Sequence, residues 1–147
     1  MPIIEWNVNL LVGIQEIDRQ HKHLVQSLND NYDRFREGTE IDTSFLQELT
    51  DYSAHHFACE EGWMEKTSYP KLAAHKEEHG LFTSRISEFK KEHKRNASVS
   101  VELIWFLCNW VTHHIQETDA EFGRFVDVHN IRRTRAEIAR RGEIDTL

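Results

Sequence analysis

A chain of 147 residues, 39% apolar and 29% charged, fits one soluble domain with a core large enough to need no disulfide staples. Its net charge of −7, from 18 basic and 25 acidic residues, excludes the basic footprint of broad nucleic-acid binding. No apolar run approaches a membrane span. The N-terminus lacks the basic start and long apolar stretch of a secretory signal, so the expected location is the cytoplasm.

The first dozen residues form an arm. Helical periodicity then begins at Ile17 and runs through His21, Leu24, Leu28 and Phe35 in steps of three, four or seven, with a stop expected near Gly38. A second segment starts around "IDTSFLQ", where Ser44 and Gln47 have capping-box spacing. Its inward stripe reads Phe45, Leu49, Tyr52, His56, Cys59, Trp63. "TSYPK" ends it, and Pro70 suits the first turn of a third helix, with the stripe Leu72, His75, His79, Phe82, Ile86, Phe89. A fourth helix is expected from Ser98 or Ser100, with Glu102 well placed in its first turn. Its stripe is Leu103, Leu107, Val111, His114, Thr118, Phe122.

With six glycines and two prolines there are few helix breakers, and no strand-like alternation occurs. The expected fold class is all-α: an up-down-up-down four-helix bundle with an N-terminal arm. The bundle domain spans 1–126, and 127–147 is a charged C-terminal tail or a short fifth helix. Cys59 and Cys108 are far apart, form no CxxC pair, and read as free thiols; Cys59 is more simply a small buried residue than a metal ligand.

Each apolar stripe is interrupted by histidine: His21, His56, His75 with His79, and His114. One such residue is ordinarily a hydrogen-bonded core histidine. Five on four helices are harder to satisfy one by one, because an unpaired buried polar group costs roughly 1–3 kcal/mol. A metal in the bundle core would satisfy them together. Residues four apart share a helix face, so His56 and Glu60 can aim at one point, as can His75 and His79. Each pair alone is a weak signal. His114 and Asp119 fit less well: five residues place them about 140° apart on an α-helix, where periodicity would select Thr118.

The order of these elements is more specific than any one of them. "GIQEIDRQH" with His21, "HFACEE" with His56 and Glu60, "HKEEH" with His75 and His79, and "HIQETD" with His114 and Asp119 together resemble the hemerythrins, in particular their bacterial single-domain forms. The resemblance covers about residues 3–126. It implies two iron ions in an oxo- or hydroxo-bridged centre that binds O2 reversibly. His75, His79 and His114 would hold one iron, and His21 and His56 the other, which keeps a position open for O2. Glu60 and Asp119 would bridge both. It further implies an O2 pocket lined by Leu24, Phe82, Trp110, Val111 and Ile115, with Val111 where leucine is common. From the sequence alone plain core packing is the better reading of each of those five, and both readings can hold together.

Imidazole and carboxylate suit non-haem iron. The two carboxylates and a hydroxide offset three of the four positive charges of two ferrous ions, which makes their burial tolerable. The implied function is an oxygen carrier, store or supplier, not an enzyme, with O2 as its partner. A di-iron enzyme acting on peroxide, nitric oxide or oxygen, and an O2 or redox sensor module, stay open as alternatives. A structural zinc site would need four ligands, fewer than the seven present. Oligomeric state is left open, a monomer included. His23, His55, His93, His113 and His129 take no role, Glu61 reads as facing solvent or backing the site, and Trp6 and Trp63 read as packing residues.

Overall fold

Four helices and an N-terminal arm make up the described part of the computed structural model, residues 2–38, 43–95 and 100–129. Helix α1 spans Gln15–Arg36, α2 Thr43–Lys66, α3 Leu72–Arg95 and α4 Ser100–His113. A π-helical turn, His114–Asp119, continues α4, and residues 120–129 are helical again. Helix α1 packs on α2 and α4, and α2 on α3, which is the expected bundle. No described helix is long and apolar enough to cross a membrane. Of the tail or fifth helix expected at 127–147, residues 127–129 continue the helix that follows the π-turn, and residues 130–147 lie outside the described residues.

The arm is tied down at both ends. Asn29 Oδ1 accepts from the backbone N–H groups of Ile3 and Ile4 at 3.1 and 3.0 Å, and its amide donates back to the Ile4 carbonyl at 2.8 Å. Further along, Gly13 turns the chain into α1 with φ 94°, and Asp18 accepts from the N–H groups of Val12 and Gly13. Gly123 lets the arm approach this closely, since a Cβ there would lie 2.1 Å from the Val12 carbonyl oxygen. Helix α1 ends at Arg36, with Glu37 as its cap ahead of Gly38 with φ 93°, close to the stop expected from the sequence.

Two local expectations change. Ser44 and Gln47 do not form a capping box. Ser44 is already the second helical residue, and Gln47 instead donates to Asp51 and accepts from Lys90. The inward stripe of α2 is also rotated. Leu46, Ser53, Phe57, Glu60 and Met64 are buried beside Phe45, Leu49 and His56, whereas Tyr52, Cys59 and Trp63 are half-buried at its margin. An apolar stripe read along one side could not anticipate that a glutamate marks the centre of the buried face.

The core divides into two apolar clusters with a polar layer between them. Along α1 the order is Ile17, His21, Val25; along α2, Phe57, Glu60, Met64; after α4, Ile115, Asp119, Phe122. The larger cluster includes Val25, Phe57, Phe82 and Ile115, and the smaller one Ile17, Met64, Tyr69 and Phe122. Every helix therefore delivers its polar residue to the same level.

Candidate metal centre

Five histidines and two carboxylates converge in this layer. His21, His56, His75, His79, His114, Glu60 and Asp119 are each at most 4% exposed. Glu60 lies at the middle, and its two oxygens face different partners. Oε1 is 3.1 Å from His21 Nε2 and 2.5 Å from His56 Nε2. Oε2 is 3.0 Å from both His75 Nε2 and His79 Nε2, and 3.3 Å from His114 Nε2. One carboxylate thus divides five imidazoles into a pair and a trio. Two potential cation-binding groups result, Glu60 with His75, His79 and His114, and His21 and His56 with Glu60 and Asp119.

Asp119 spans both groups as well. Its oxygens lie 2.9 Å from His21 Nε2, 2.9 Å from His75 Nε2 and 3.1 Å from His114 Nε2. Five-residue spacing disfavours this on a regular α-helix. The chain solves it by switching to π-helical geometry over His114–Asp119, where the Ala120 N–H reaches the Ile115 carbonyl five residues back. Residues five apart then stack on one face, as residues four apart do in an α-helix. Thr118, which periodicity would select, turns outward by that shift and donates to Glu78 at 3.1 Å.

Ring orientation depends on residues that the sequence does not single out. His56 Nδ1 lies 2.6 Å from Gln20 Oε1, and Gln20 is buried. His114 Nδ1 lies 3.0 Å from Glu78 Oε1. Each contact sends Nδ1 outward and leaves Nε2 aimed at the carboxylates, as partners behind metal-binding histidines do. Glu61 approaches His79 Nδ1 at 3.7 Å. Phe57 stacks on His79 at 3.9 Å and Trp110 on His114 at 4.4 Å. For Gln20 and Glu78 the available signal was adjacency: each neighbours a site histidine by one residue.

The donor set fits metal ions better than it fits itself. His56 Nε2 and both Asp119 oxygens are buried without a properly directed hydrogen bond, although nitrogen and oxygen atoms crowd within about 3 Å of them. His79 Nε2 and His114 Nε2 face each other at 3.3 Å. Lone pairs pointed at common points and left unsatisfied are what a bound cation would complete. Without cations, protons take that part. Burial alone would push His21 and His75 down, but hydrogen bonds to Asp119 and Glu60 outweigh it and hold both rings up to about 9. His114 is raised for the same reasons. Burial pushes Asp119 up, as does Glu60, yet the His114 and His21 rings hold it down to about 2. Glu60 sits well below its ordinary value, because His56 and His114 outweigh its burial. Burial leaves His56 lowered and so ready to bind a metal as neutral imidazole.

A small cavity of about 20 Å³ adjoins the histidine pair, enough for one molecule the size of water or O2. Leu24, Phe82, Trp110, Val111 and Ile115 all line it. His21 and His56 both reach it; of the trio only His114 does.

The other histidines stay outside. His23 packs on Tyr52 with the rings tilted, His113 pairs with Glu117, His129 packs on Phe125, His55 is exposed and His93 lies far along α3. Cys59 contacts Glu16, and burial with that contact pushes its thiol up to about 11, so no thiolate joins the set. Trp6 packs against the larger cluster, and Trp63 against the smaller one while also donating to Glu16.

An antiparallel four-helix bundle whose core holds two groups of histidines joined by carboxylates defines a dinuclear metal-binding protein. The family model of the hemerythrin HHE cation binding domain matches residues 12–126. A bacteriohemerythrin of Pseudomonas aeruginosa is 37% identical over 124 residues, covering 83% of this chain and 80% of that protein. One from Stenotrophomonas maltophilia is 33% identical over 135 residues, covering 88% and 85%. The crystal structure of wild-type hemerythrin superposes with a TM-score of 0.70 at 28% identity, covering 83% of this chain and 96% of the other. The chain belongs to the hemerythrin family, whose domain holds a di-iron centre.

Proposed function

We propose that the protein binds O2 reversibly at a di-iron centre and serves as an oxygen carrier, store or supplier. The observation that carries this reading is the apolar cavity next to the histidine pair. His75, His79 and His114 would hold one iron with Glu60 and Asp119. His21 and His56 would hold the other with the same two carboxylates, and so offer one protein ligand fewer on the side that faces the cavity. When bound, the irons supply the electrons that O2 binding requires. Everything else falls to the chain. Gln20 and Glu78 keep Nε2 of His56 and His114 turned inward. Leu24, Phe82, Val111 and Ile115 wall the cavity with hydrocarbon, which keeps out the water and protons that would release reduced oxygen species.

The test is reconstitution with iron under argon, metal analysis, and rapid mixing of the reduced protein with O2. Two irons per chain and an optical change that argon flushing reverses are expected. One zinc per chain with no iron uptake would overturn the reading. Continuous consumption of O2 or peroxide without a reversible phase would move the assignment to an enzyme.

A further inference from the structure

The internal cavity and a groove on the surface share three residues, Leu24, Ser27 and Leu49. The groove runs between α1 and α2, has a volume of about 580 Å³, and is completed by His23, Glu48, Asp51, Tyr52 and His55. At Leu24 and Leu49, therefore, a single layer of side chains separates solvent from the cavity. Apart from Leu24 and Ser27, the half-buried lining residue is Trp110, and its ring is clamped. It stacks on His114 at 4.4 Å and packs against Phe82 at 4.4 Å and Phe57 at 5.8 Å. Leu24 is half-buried, packed against the larger cluster on one side and facing the groove on the other, so its side chain can change rotamer toward the groove, a motion of picoseconds to nanoseconds.

Resting on the O2-binding reading above, we propose that the α1–α2 seam at Leu24 and Leu49 is the gate through which small molecules reach the cavity, and that it favours uncharged diatomics over anions. Two features give the preference. An anion passing between two leucines must shed its hydration, whereas O2 has none to lose. The groove outside is lined by the Glu48 and Asp51 carboxylates, and its lining includes no lysine or arginine. The field of these carboxylates lowers the local concentration of anions and leaves a neutral gas unaffected.

The experiment compares association rates of O2 with the reduced iron-loaded protein and of azide with the oxidised one. Leu24→Ala should raise the azide rate more than the O2 rate, by roughly tenfold for a barrier lowered by about 1.4 kcal/mol. Leu24→Phe should slow both. The double variant Glu48→Gln with Asp51→Asn should speed azide roughly fivefold at low ionic strength, an effect that salt removes, and leave the O2 rate as it was. Leu81→Ala, exposed on α3, is the control. A second readout uses zinc-loaded protein and dissolved O2. Paramagnetic broadening of the Val111 and Ile115 methyl signals should depend on residue 24 in the same direction. Unchanged rates and broadening in both Leu24 variants, with fold and metal content intact, would overturn the gate. So would faster entry in Trp110→Ala alone, which would place the door at Trp110. If the wild-type protein binds no O2 at all, the functional reading fails, while the azide rates and methyl signals still judge the gate.

Discussion

The histidine pair and the histidine trio share one glutamate yet live in different surroundings. His79 and His114 are pressed by aromatic rings, and Glu78 and Glu61 stand behind them. His21 and His56 look into the cavity, with Gln20 behind His56. The trio side is built for rigidity, the pair side for room. Under the proposed function a guest would enter on one side only, and the asymmetry that this needs comes from packing, since the imidazoles themselves are identical.

Removing Glu60 should erase the difference altogether. Glu60→Ala takes away the oxygen that faces each group, so both ions should be lost, where His55→Ala should retain both. Metal analysis after gel filtration compares the two; equal occupancy would mean that Glu60 does not join the groups.

Protons probe the same division. In the metal-free protein His21, from the pair, and His75, from the trio, are raised to about 9 from an ordinary value near 6.5. Their contribution to stability is full below pH 6.5 and is lost as pH rises through 9. Asp119, lowered to about 2, contributes above its ordinary carboxylate range and loses that contribution as pH falls through 2. Thermal unfolding of metal-free protein should therefore weaken between pH 6.5 and 9, on the order of a few kcal/mol. Iron-loaded protein should show no such decline, because the ions displace those protons. Equal pH profiles for the two forms would contradict this.

Ile115→Ala acts on the pair side. The residue is 2% exposed and lines the cavity, so truncation should cost about 2–5 kcal/mol of stability and leave a larger void. A void beside polar groups takes up water. Both irons should remain, with faster oxidation to the ferric form in air. The half-life at equal iron loading, well below either unfolding temperature, decides; an unchanged value would reduce Ile115 to packing.

The smallest effects separate the two sides most cleanly. Gln20→Ala should weaken the ion held by the pair, and Glu78→Ala the ion held by the trio, each by about 10–100-fold in affinity. Titration with a chelator should pass through a one-iron species in both variants, with different spectra. Identical spectra would mean that these residues do not act on separate ions.

Much of this was legible in the linear order of residues. Long helices follow from the scarcity of glycine and proline, and the stripe of α3 matches the buried face, while that of α1 matches it at Ile17, His21 and Leu28 but misses the buried Gln20 and Val25 and includes the half-buried Leu24 and Phe35. The five histidines stand out because a histidine on an apolar stripe is costly unless something satisfies it, and Glu60 follows His56 by one helical turn; Asp119 entered only through the resemblance to the hemerythrins, since periodicity selects Thr118. The stripe of α2 was misplaced for the converse reason. Its centre is Glu60, which a hydrophobicity pattern assigns to solvent, so Tyr52, Cys59 and Trp63 were drawn inward in its place.

What the sequence determined by itself is the inventory of donors and the helix that carries each. Local periodicity is written in side-chain polarity, and polarity is a property of single residues. Three things were decided only in the tertiary structure. Asp119 faces the histidines because α4 loosens into a π-turn, a backbone choice stabilised by what the two groups meet across the bundle. Glu60 serves both groups because α1 and α3 present histidines to its opposite oxygens. The cavity lies beside the pair because side chains from all four helices fail to fill that point, and no segment alone encodes a gap between four.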